Sequence, residues 1–402
     1  MKKICLVVAG LYIQLLTAFS QPAPASDTTQ YKSRKLKLEE VNLVSSYYHQ
    51  NGNNSAVTGG IGTEKLTDIA NGIDVKFSKY DKKYRLHSFT AELGVDTYSS
   101  ASSDMIDGKA NSSASSHDIR IYPSVSWSME NEKTGNTTGL NASASKEFDY
   151  LSFGLGASFS KKSKDNSREF GVKAQVYLDK VSLIAPVELR TFNSGNGRGN
   201  RNYATTPRNT FSSSFSLSQI VSQRLQFMLL LDLAYQQGYL GLPFHRVYFN
   251  DNTLKAESLP GNRFKIPVGI RANYFASDKI IFRSYYRFYH DDWGLNAHTA
   301  ELETVFKISP FFSVSPFFRY YTQNAVKYFA PYMAHQLTDT YFTSNYDLSQ
   351  FHSQFIGAGI HYAPLNGLFG NPHLGMIELR YGHYTRSNSL NSDIITMNFR
   401  FK

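Results

Sequence analysis

The stretch from Tyr285 to Glu303 constrains the fold more than any other part of the chain, because its side chains alternate with a period of two. A period of two is the pattern of a β-strand, whereas a helix repeats every 3.6 residues. The two faces of the first strand are Arg283, Tyr285, Arg287, Tyr289 and Asp291 on one side, and Phe282, Tyr286 and Phe288 on the other. One face is therefore ionic and the other is aromatic.

A short turn at Trp293, Gly294 and Leu295 reverses the chain into a second alternating strand. On that strand Glu301 and Glu303 share a polar face. A turn centred on Gly294 predicts that Arg287 lies opposite Glu301 and Tyr285 opposite Glu303, with opposite charges on one side of the ladder.

This pattern is inverted relative to a water-soluble sheet, where the apolar face covers a core and the polar face varies freely. Paired charges on one face and large apolar side chains on the other suit a barrel in a membrane. Lipid then contacts the apolar face, and the lumen holds the charges. The sequence predicts an all-β protein, an antiparallel up-and-down transmembrane β-barrel with a polar, charge-paired lumen.

Composition supports a membrane barrel over a soluble enzyme. The 402 residues include 27 Tyr and 29 Phe but only two Trp, and the mean hydropathy is low. Aromatic belts at the membrane interfaces explain this enrichment. A net charge of +10 also suits nucleic-acid binding. The export signal disfavours that function, and we expect no nucleic-acid partner.

The first residues have the features of a secretory signal. Lys2 and Lys3 precede an apolar run, and Ala18-Phe19-Ser20 offers a cleavage site. We predict a signal peptide over residues 1–20, a periplasmic tail over 21–40 and a barrel over 41–402. The only cysteine, Cys5, lies in the leader, so the mature chain is predicted to have no cysteine chemistry.

Alternating segments along the chain predict about sixteen strands, with fourteen to eighteen compatible with the pattern. An even number places both termini, and the short turns, on the periplasmic side. The first strand is predicted near residues 42–49 and the second near 73–80. The Asn- and Gly-rich loop between them either folds into the lumen, which is favoured, or lies outside. The last strand, Asp393 to Lys402, must pair with the first, and its alternation resembles the terminal signal of barrel assembly.

Several segments resemble one family of outer-membrane barrels, domain of unknown function 3570. They are SYYHQNGNNSAVTGGIGTEKLTDIANG, QQGYLGLPFHRVYF, LPGNRFKIPVGIRANY, YYRFYHDDWGLNAHTAELE and RYYTQNAVKYF. The resemblance implies a β-barrel in a Gram-negative outer membrane and brings no established activity. It also implies a redox-linked role in the envelope beside a small exported lipoprotein.

Charged residues on the predicted lumen faces are the main candidate site. They are Asp232, Arg263, Lys265, Arg271, Arg283, Arg287, Glu301, Glu303, Arg319, Glu378 and Arg380. One interpretation is a network of ion pairs that stiffens the interior. The other is a basic constriction that selects anions. Alternation of acids and bases between neighbouring strands favours the structural network.

The turn between the two opening strands offers a second candidate group, Asp291, Asp292, Trp293, Gly294 and His298. With His290, the imidazoles and carboxylates could hold a divalent metal, but His298 falls on the opposite face to Asp291. We therefore expect no metal and no cofactor, and the two aspartates are expected to cap the turn. No nucleophile elbow or metalloprotease motif is present, so we also expect no catalysis.

These observations predict an outer-membrane barrel that acts as a scaffold or partner subunit of an envelope complex. A channel or transporter for small anionic solutes is the alternative, and an enzyme at the barrel rim is a second one. The expected partners are outer-membrane lipids and lipopolysaccharide, the barrel-assembly machinery and a small exported lipoprotein.

Overall fold

The computed structural model describes residues 34–99, 117–189 and 203–402. The predicted signal peptide and most of the predicted tail lie outside these residues. The last part of the tail is described, and it belongs to the first strand, which begins at Lys37 rather than at residue 41.

Alternating sequence segments form long strands, and sixteen of them build one barrel. The barrel strands are β1 (Lys37–Asn51), β2 (Leu66–Tyr80), β3 (Leu86–Ser99), β4 (His117–Asn131), β5 (Asn136–Lys146), β6 (Tyr150–Lys162), β7 (Arg168–Ser182), β8 (Thr205–Ser222), β9 (Leu225–Gly238), β12 (Asn262–Phe275), β13 (Ile280–Asp291), β14 (Asn296–Ser309), β15 (Phe312–Gln323), β16 (Phe351–Tyr362), β17 (Leu374–Arg386) and β18 (Leu390–Phe401). Between β9 and β12, β10 (Arg246–Tyr248) and β11 (Leu254–Ala256) form a separate hairpin. The helices in the described residues are four short 3-10 turns, Ala56–Thr58, Val187–Leu189, Tyr346–Leu348 and Leu368–Gly370.

Each barrel strand pairs antiparallel with its neighbours, and the ring closes where β1 meets β18. The pairing at this seam runs from Val41 opposite Phe401 to Asn51 opposite Asn391. Closure removes the two sheet edges that would otherwise carry unpaired backbone groups. The predicted fold class, strand number and terminal pairing are confirmed.

The wall of the barrel is apolar outside and polar inside, as the alternation predicts. Side chains such as Val125, Leu155 and Ile356 point outward and are exposed. Serines, glycines and charged residues occupy the opposite face of the same strands. Among the described residues, no helix is long and apolar enough to cross a membrane.

The register of the opening hairpin differs from the prediction. Tyr285 lies opposite Glu301 and Arg287 opposite Thr299, so the predicted pairing of Arg287 with Glu301, and of Tyr285 with Glu303, is wrong. The turn is centred one residue earlier than predicted. Gly294, with φ +86°, is its last residue and donates its N–H to the Asp291 carbonyl. A left-handed glycine closing a three-residue turn sets this register.

The second strand begins at Leu66, seven residues before the predicted start at Ile73. Gly72 and Asn71 resemble loop residues in the sequence, yet both lie inside the strand and pair with Val44 and Ser45. Long-range pairing with β1 overrides their low strand preference. The loop that remains, residues 52–65, folds inward, as favoured from the sequence, and buries Val57 and Thr58.

Connections of very different length lie at the two ends of the barrel. At the short-turn end, most connections have two to five residues, such as 223–224 and 81–85. At the long-loop end, the described parts of four connections pack together into one unit. This loop cap consists of residues 52–65, 183–189, 239–261 and 324–350, together with the turn 292–295.

Candidate functional site

The predicted lumen charges share one side of the barrel, and most of them form ion pairs with neighbouring strands. Arg319 pairs with Glu301 at 2.6 Å, Arg283 with Glu303 at 3.3 Å, and Arg263 with Asp291. Arg271 instead lies over the ring of Tyr285, 5.1 Å from its centroid. Asp232 lines a separate recess with Lys173. The structure therefore contains a charge network, with partners that differ from those expected on the opening hairpin.

Glu303 connects strands that are not neighbours. Besides Arg283 on β13, it accepts a hydrogen bond from Arg380 on β17, which also contacts Glu378 at 3.4 Å. Arg380 reaches Glu303 by lying along the wall over Gly359. A Cβ added to Gly359 would be 3.2 Å from the Cγ of Arg380. The absence of a side chain at Gly359 makes this path available.

Arg287 differs from the other lumen arginines. Within the described residues, it makes no hydrogen bond or ion pair, and its Nε is buried without a partner. It lines a cavity of about 660 Å³ together with Arg319 and Arg386. A guanidinium needs acceptors when it leaves bulk water. Arg287 therefore presents to the cavity a guanidinium that has no ion pair within the described residues.

The rest of this cavity is lined by aromatic and apolar side chains, by four uncharged polar side chains, and by two acids, Glu64 and Asp347. Tyr48, Tyr321, Tyr384 and Phe355 are on its wall. The guanidinium of Arg386 is held in the cavity wall by an ion pair with Asp347, at 2.7 Å. Three arginines among tyrosines provide directed hydrogen-bond donors and flat apolar surfaces, which suit a small organic anion.

Glu64, the second acid of the cavity, lies on the inward-folded loop of residues 52–65. Burial raises the pKa of Glu64 to about 7, and the nearby Asp347 adds to the increase while Arg386 opposes it. The cavity therefore loses a negative charge when the pH falls below this value.

An acidic wall lies across the lumen from the arginines. It consists of Asp68 and Asp74 on β2, Glu92 and Asp96 on β3, and Asp118 on β4, and is interrupted by Lys76 and Arg120. In the ring, β3 and β13 are eight strands apart in either direction, so the two walls face each other. Between them, β5, β6 and β8 present mainly serines and glycines, whereas β7 presents Lys173, Gln175, Tyr177 and Asp179.

Several aromatic side chains lie flat against the wall because a glycine on an adjacent strand leaves space for the ring. A Cβ built on Gly94 would fall 2.0 Å from the ring of Tyr122, and one on Gly382 2.4 Å from the ring of Phe355. Charged lumen side chains are also open to solvent, with Arg283 53% and Arg319 46% exposed. A barrel of sixteen strands is wide enough for an aqueous channel, and these flat rings leave it room.

The turn after β13 anchors the loop cap. Trp293 is buried, donates its Nε1–H to the Asn262 carbonyl at 2.9 Å, and packs with Leu295 and Val326. Asp291 accepts from Leu295 N–H as well as from Arg263, while Asp292 accepts from Phe264 N–H at 3.1 Å. Asp291 therefore caps the turn, and Asp292 binds the backbone of the neighbouring strand β12.

The ligands of the considered metal site point to different faces. His298 contacts the Tyr286 hydroxyl at 2.8 Å on the outer face, and His290 contacts Asn296. Asp291 faces the lumen and is bound to Arg263. The turn therefore does not bring these groups into one coordination shell.

A buried polar cluster ties the loops of the cap together. Arg246 donates to the Val57 carbonyl at 2.7 Å and to Glu188 at 2.8 Å, joining three connections. Glu257 accepts from Thr343 Oγ1 and lies 3.5 Å from His245. Burial raises the pKa of Glu257, but His245, Thr343 and the Leu242 N–H outweigh it, and the net shift is downward.

Three acids also meet at the long-loop end, outside the predicted sites. Carboxylate oxygens of Asp118, Glu147 and Asp149 lie within 4.8 Å of one another. Burial and the two neighbouring carboxyls raise the pKa of Asp149 to about 6. Arg120, 3.4 Å from Glu147, and the hydroxyl of Tyr98, 2.8 Å from it, balance part of this charge.

Comparison with known families identifies the chain. The sequence model described as "Protein of unknown function (DUF3570)" matches residues 95–388. The chain belongs to the DUF3570 family. The match confirms the resemblance seen in the sequence, and no curated protein matches the chain significantly.

Solved structures with a similar barrel share little sequence with this DUF3570 protein. OccD3 (OpdP) of Pseudomonas aeruginosa has 8% identity and a TM-score of 0.43, covering 96% of each chain. A BenF-like porin of Pseudomonas fluorescens Pf-5 has 8% identity and a TM-score of 0.44, covering 92% of this chain and all of its own. The ferric enterobactin receptor PfeA of P. aeruginosa has 10% identity and a TM-score of 0.44, covering 87% of this chain and 54% of its own. Similarity at this level does not extend to a solute or a partner.

Sequence patterns alone missed part of the site. Arg386 follows Arg380 at an even spacing on β17, so the same alternation could have placed it in the lumen. Glu64, Asp347 and the cluster around Arg246 lie in the long connections, where even the three-residue strand β10 is too short to carry a periodic signal. Their positions depend on contacts between connections far apart in the chain.

Proposed function

We propose that this protein is an outer-membrane channel that admits small anionic solutes through a lumen narrowed at its outer end by the loop cap. The observation that carries the proposal is Arg287, which lacks a partner within the described residues and lines the 660 Å³ cavity with Arg319 and Arg386. An unpaired guanidinium beside two paired ones makes that level of the lumen favourable to an anion. The solvent-exposed charges and the flat rings on the wall support passage of water and solute.

The proposal includes placement and partners. The apolar outer wall contacts the lipids and lipopolysaccharide of a Gram-negative outer membrane, the long-loop end faces outside, and the assembly machinery inserts the chain through β18. The protein works without intrinsic catalysis. A scaffold role stays a prediction from the sequence, and an exported lipoprotein partner and a redox link stay predictions of the family resemblance.

The test is ion selectivity in planar bilayers. Purified protein in a salt gradient is expected to conduct and to give a reversal potential that favours anions. Arg287→Gln should lower the anion preference several-fold without loss of folding, because the side chain has no ion pair to break. A barrel that shows normal heat-modifiable migration but no conductance would contradict the channel and favour the scaffold.

Two control variants locate the effect. Arg224→Gln removes a charge from a turn at the short-turn end and should leave selectivity unchanged. Arg271→Gln removes a lumen charge outside the cavity, where the guanidinium lies over Tyr285. An equal effect of Arg271→Gln and Arg287→Gln would show that total lumen charge, rather than the cavity, determines selectivity.

A further inference from the structure

The connection between β16 and β17, residues 363–373, differs from its neighbours at the short-turn end. The connections 81–85, 132–135, 163–167, 223–224 and 276–279 each contain charged side chains. The 363–373 segment is longer and has no Asp, Glu, Lys or Arg. It contacts the other uncharged turn of this end, through the Ala363 N–H and the Phe311 carbonyl at 2.9 Å. Its composition therefore does not suit a turn that extends into water.

One side of the segment packs onto the outside of the barrel. Leu368 is only 4% exposed and contacts a cluster of outward-facing residues where the barrel closes, which consists of Val41, Leu43, Leu374 and Phe401. Its far end is bound to the C-terminus, because Lys402 donates its N–H to the His373 carbonyl at 2.8 Å. The segment is therefore fixed against the lipid-facing side of the wall.

The other side of the segment presents two large apolar side chains. Leu365 is 84% exposed and Phe369 is 94% exposed. Phe369 has φ +56°, a left-handed conformation that is uncommon for a bulky residue, between Gly367 at +73° and Gly370 at +76°. The backbone is held there by bonds from Gly367 N–H to the Pro364 carbonyl and from Asn371 N–H to the Leu368 carbonyl. The conformation keeps both side chains away from the barrel.

We propose that the 363–373 segment is a membrane anchor whose Leu365 and Phe369 insert into the lipid leaflet at the short-turn end. Lipid is the occupant because the exposed surface continues the lipid-facing belt, where Ile360 and Tyr362 precede the segment and Leu379 and Tyr381 follow it. An interfacial segment without charges, with its apolar side chains at the acyl boundary, has a favourable place in a bilayer. The anchor depends on the transmembrane placement of the barrel and not on channel activity.

Nitroxide labels measure this insertion directly. Cysteine is introduced at Leu365 or Phe369 in a Cys5→Ser background, and the purified barrel is reconstituted in phosphatidylethanolamine and phosphatidylglycerol vesicles. Leu379→Cys, on the outward face of β17, and Lys82→Cys, at an exposed turn of the same end, are the lipid and water references. Power saturation compares the accessibility of each label to oxygen, which partitions into lipid, and to a nickel chelate, which stays in water.

Labels at Leu365 and Phe369 are expected to be several-fold more accessible to oxygen than to the chelate, as at Leu379. A label at either position that is as accessible to the chelate as the one at Lys82 would overturn the anchor, and would favour a protein partner for this surface. If Phe369→Cys does not assemble, the Leu365 label decides. Pure vesicles contain no other protein, so only lipid can protect the labels.

Discussion

At the scale of single residues, Glu64 connects the loop cap to the arginine cavity. Its carboxyl enters the cavity from the inward-folded loop, near Asp347 and Arg386. Its pKa rises from 4.5 to about 7 because burial, followed by the charge of Asp347, disfavours the ionised form. The folded state therefore binds a proton more tightly than the unfolded state. Ionisation of Glu64 therefore lowers the stability of the folded state. This loss of stability is absent below pH 4.5, grows as the pH rises and is complete above about 7.

This shift predicts a pH-dependent selectivity. As the pH falls from about 8 to 6, Glu64 becomes neutral and the cavity becomes more positive, so the anion preference should increase. Glu64→Gln has no group that titrates at this position, so it should show the stronger anion preference, that of the low pH, at both pH values. Reversal potentials in a salt gradient measure both effects. Equal pH dependence in the variant and the parent chain would assign the titration to another group.

Residue patterns in the sequence assign a face of the strand to each lumen arginine but cannot assign its partner. The face of Arg287 follows from alternation alone, whereas its cross-strand neighbour depends on the turn at Gly294, where a shift of one residue moves every pair by two. Arg380 reaches Glu303 across two intervening strands, a contact for which the sequence gives no signal.

At the scale of strands, glycine positions determine how much of the lumen is filled. Gly72 on β2 and Gly94 on β3 are direct cross-strand partners on the lumen face. A Cβ on Gly72 would meet nothing within 4 Å, whereas a Cβ on Gly94 would fall 2.0 Å from the Tyr122 ring. The two glycines therefore differ in role although they are neighbours in the wall.

Gly94→Ala should push Tyr122 away from the wall and narrow the lumen. We expect a lower single-channel conductance and a loss of about 1 to 3 kcal/mol in unfolding free energy, as in other overpacked sites. Gly72→Ala is the matched control, and it should keep its conductance and gain about 0.5 to 1 kcal/mol. Urea unfolding and single-channel recording give the two readouts. Identical conductance and unfolding free energy in both variants would show that the position of the Tyr122 ring does not depend on the missing side chain at Gly94.

Strand segments could be predicted from sequence because each carries its own alternation, but the loop cap could not. β4 and β17 show clear alternation along their length. The cap has no periodic pattern. It is held by contacts such as Arg246 with the Val57 carbonyl and Ser258 with Phe342, which join loops distant in sequence.

At the scale of the whole molecule, closure places two oppositely charged walls across one lumen. β3 and β13 lie opposite only because β18 pairs with β1 and completes the ring. The seam is also where the 363–373 segment packs, on Val41 and Phe401. Charge arrangement, lipid contact and closure therefore depend on the same terminal strand.

Deletion of residues 398–402 should prevent barrel assembly. The deletion removes the partners of Val41, Asn42, Leu43 and Val44, and with them the buried side chain of Phe401. It leaves the lower part of β1 with unpaired backbone groups at membrane depth, each of which costs about 2 to 7 kcal/mol without a hydrogen-bond partner. The combined cost of several such groups exceeds the free energy of unfolding of a typical domain, which is about 5 to 15 kcal/mol. Deletion of Lys402 alone is the control, because it removes the contact with His373 but no pairing with β1, since β18 ends at Phe401.

Two assembly assays separate the physical effect of closure from recognition by assembly machinery. The five-residue deletion is expected to lose heat-modifiable migration both in cells and after refolding from urea into lipid vesicles, where no machinery is present. Loss in cells with normal refolding in vesicles would mean that the terminal residues act as a recognition signal and that the seam closes without them. Normal migration in both assays would contradict the pairing of β18 with the first half of β1. The observed register, with Phe401 buried opposite Val41, predicts failure in both.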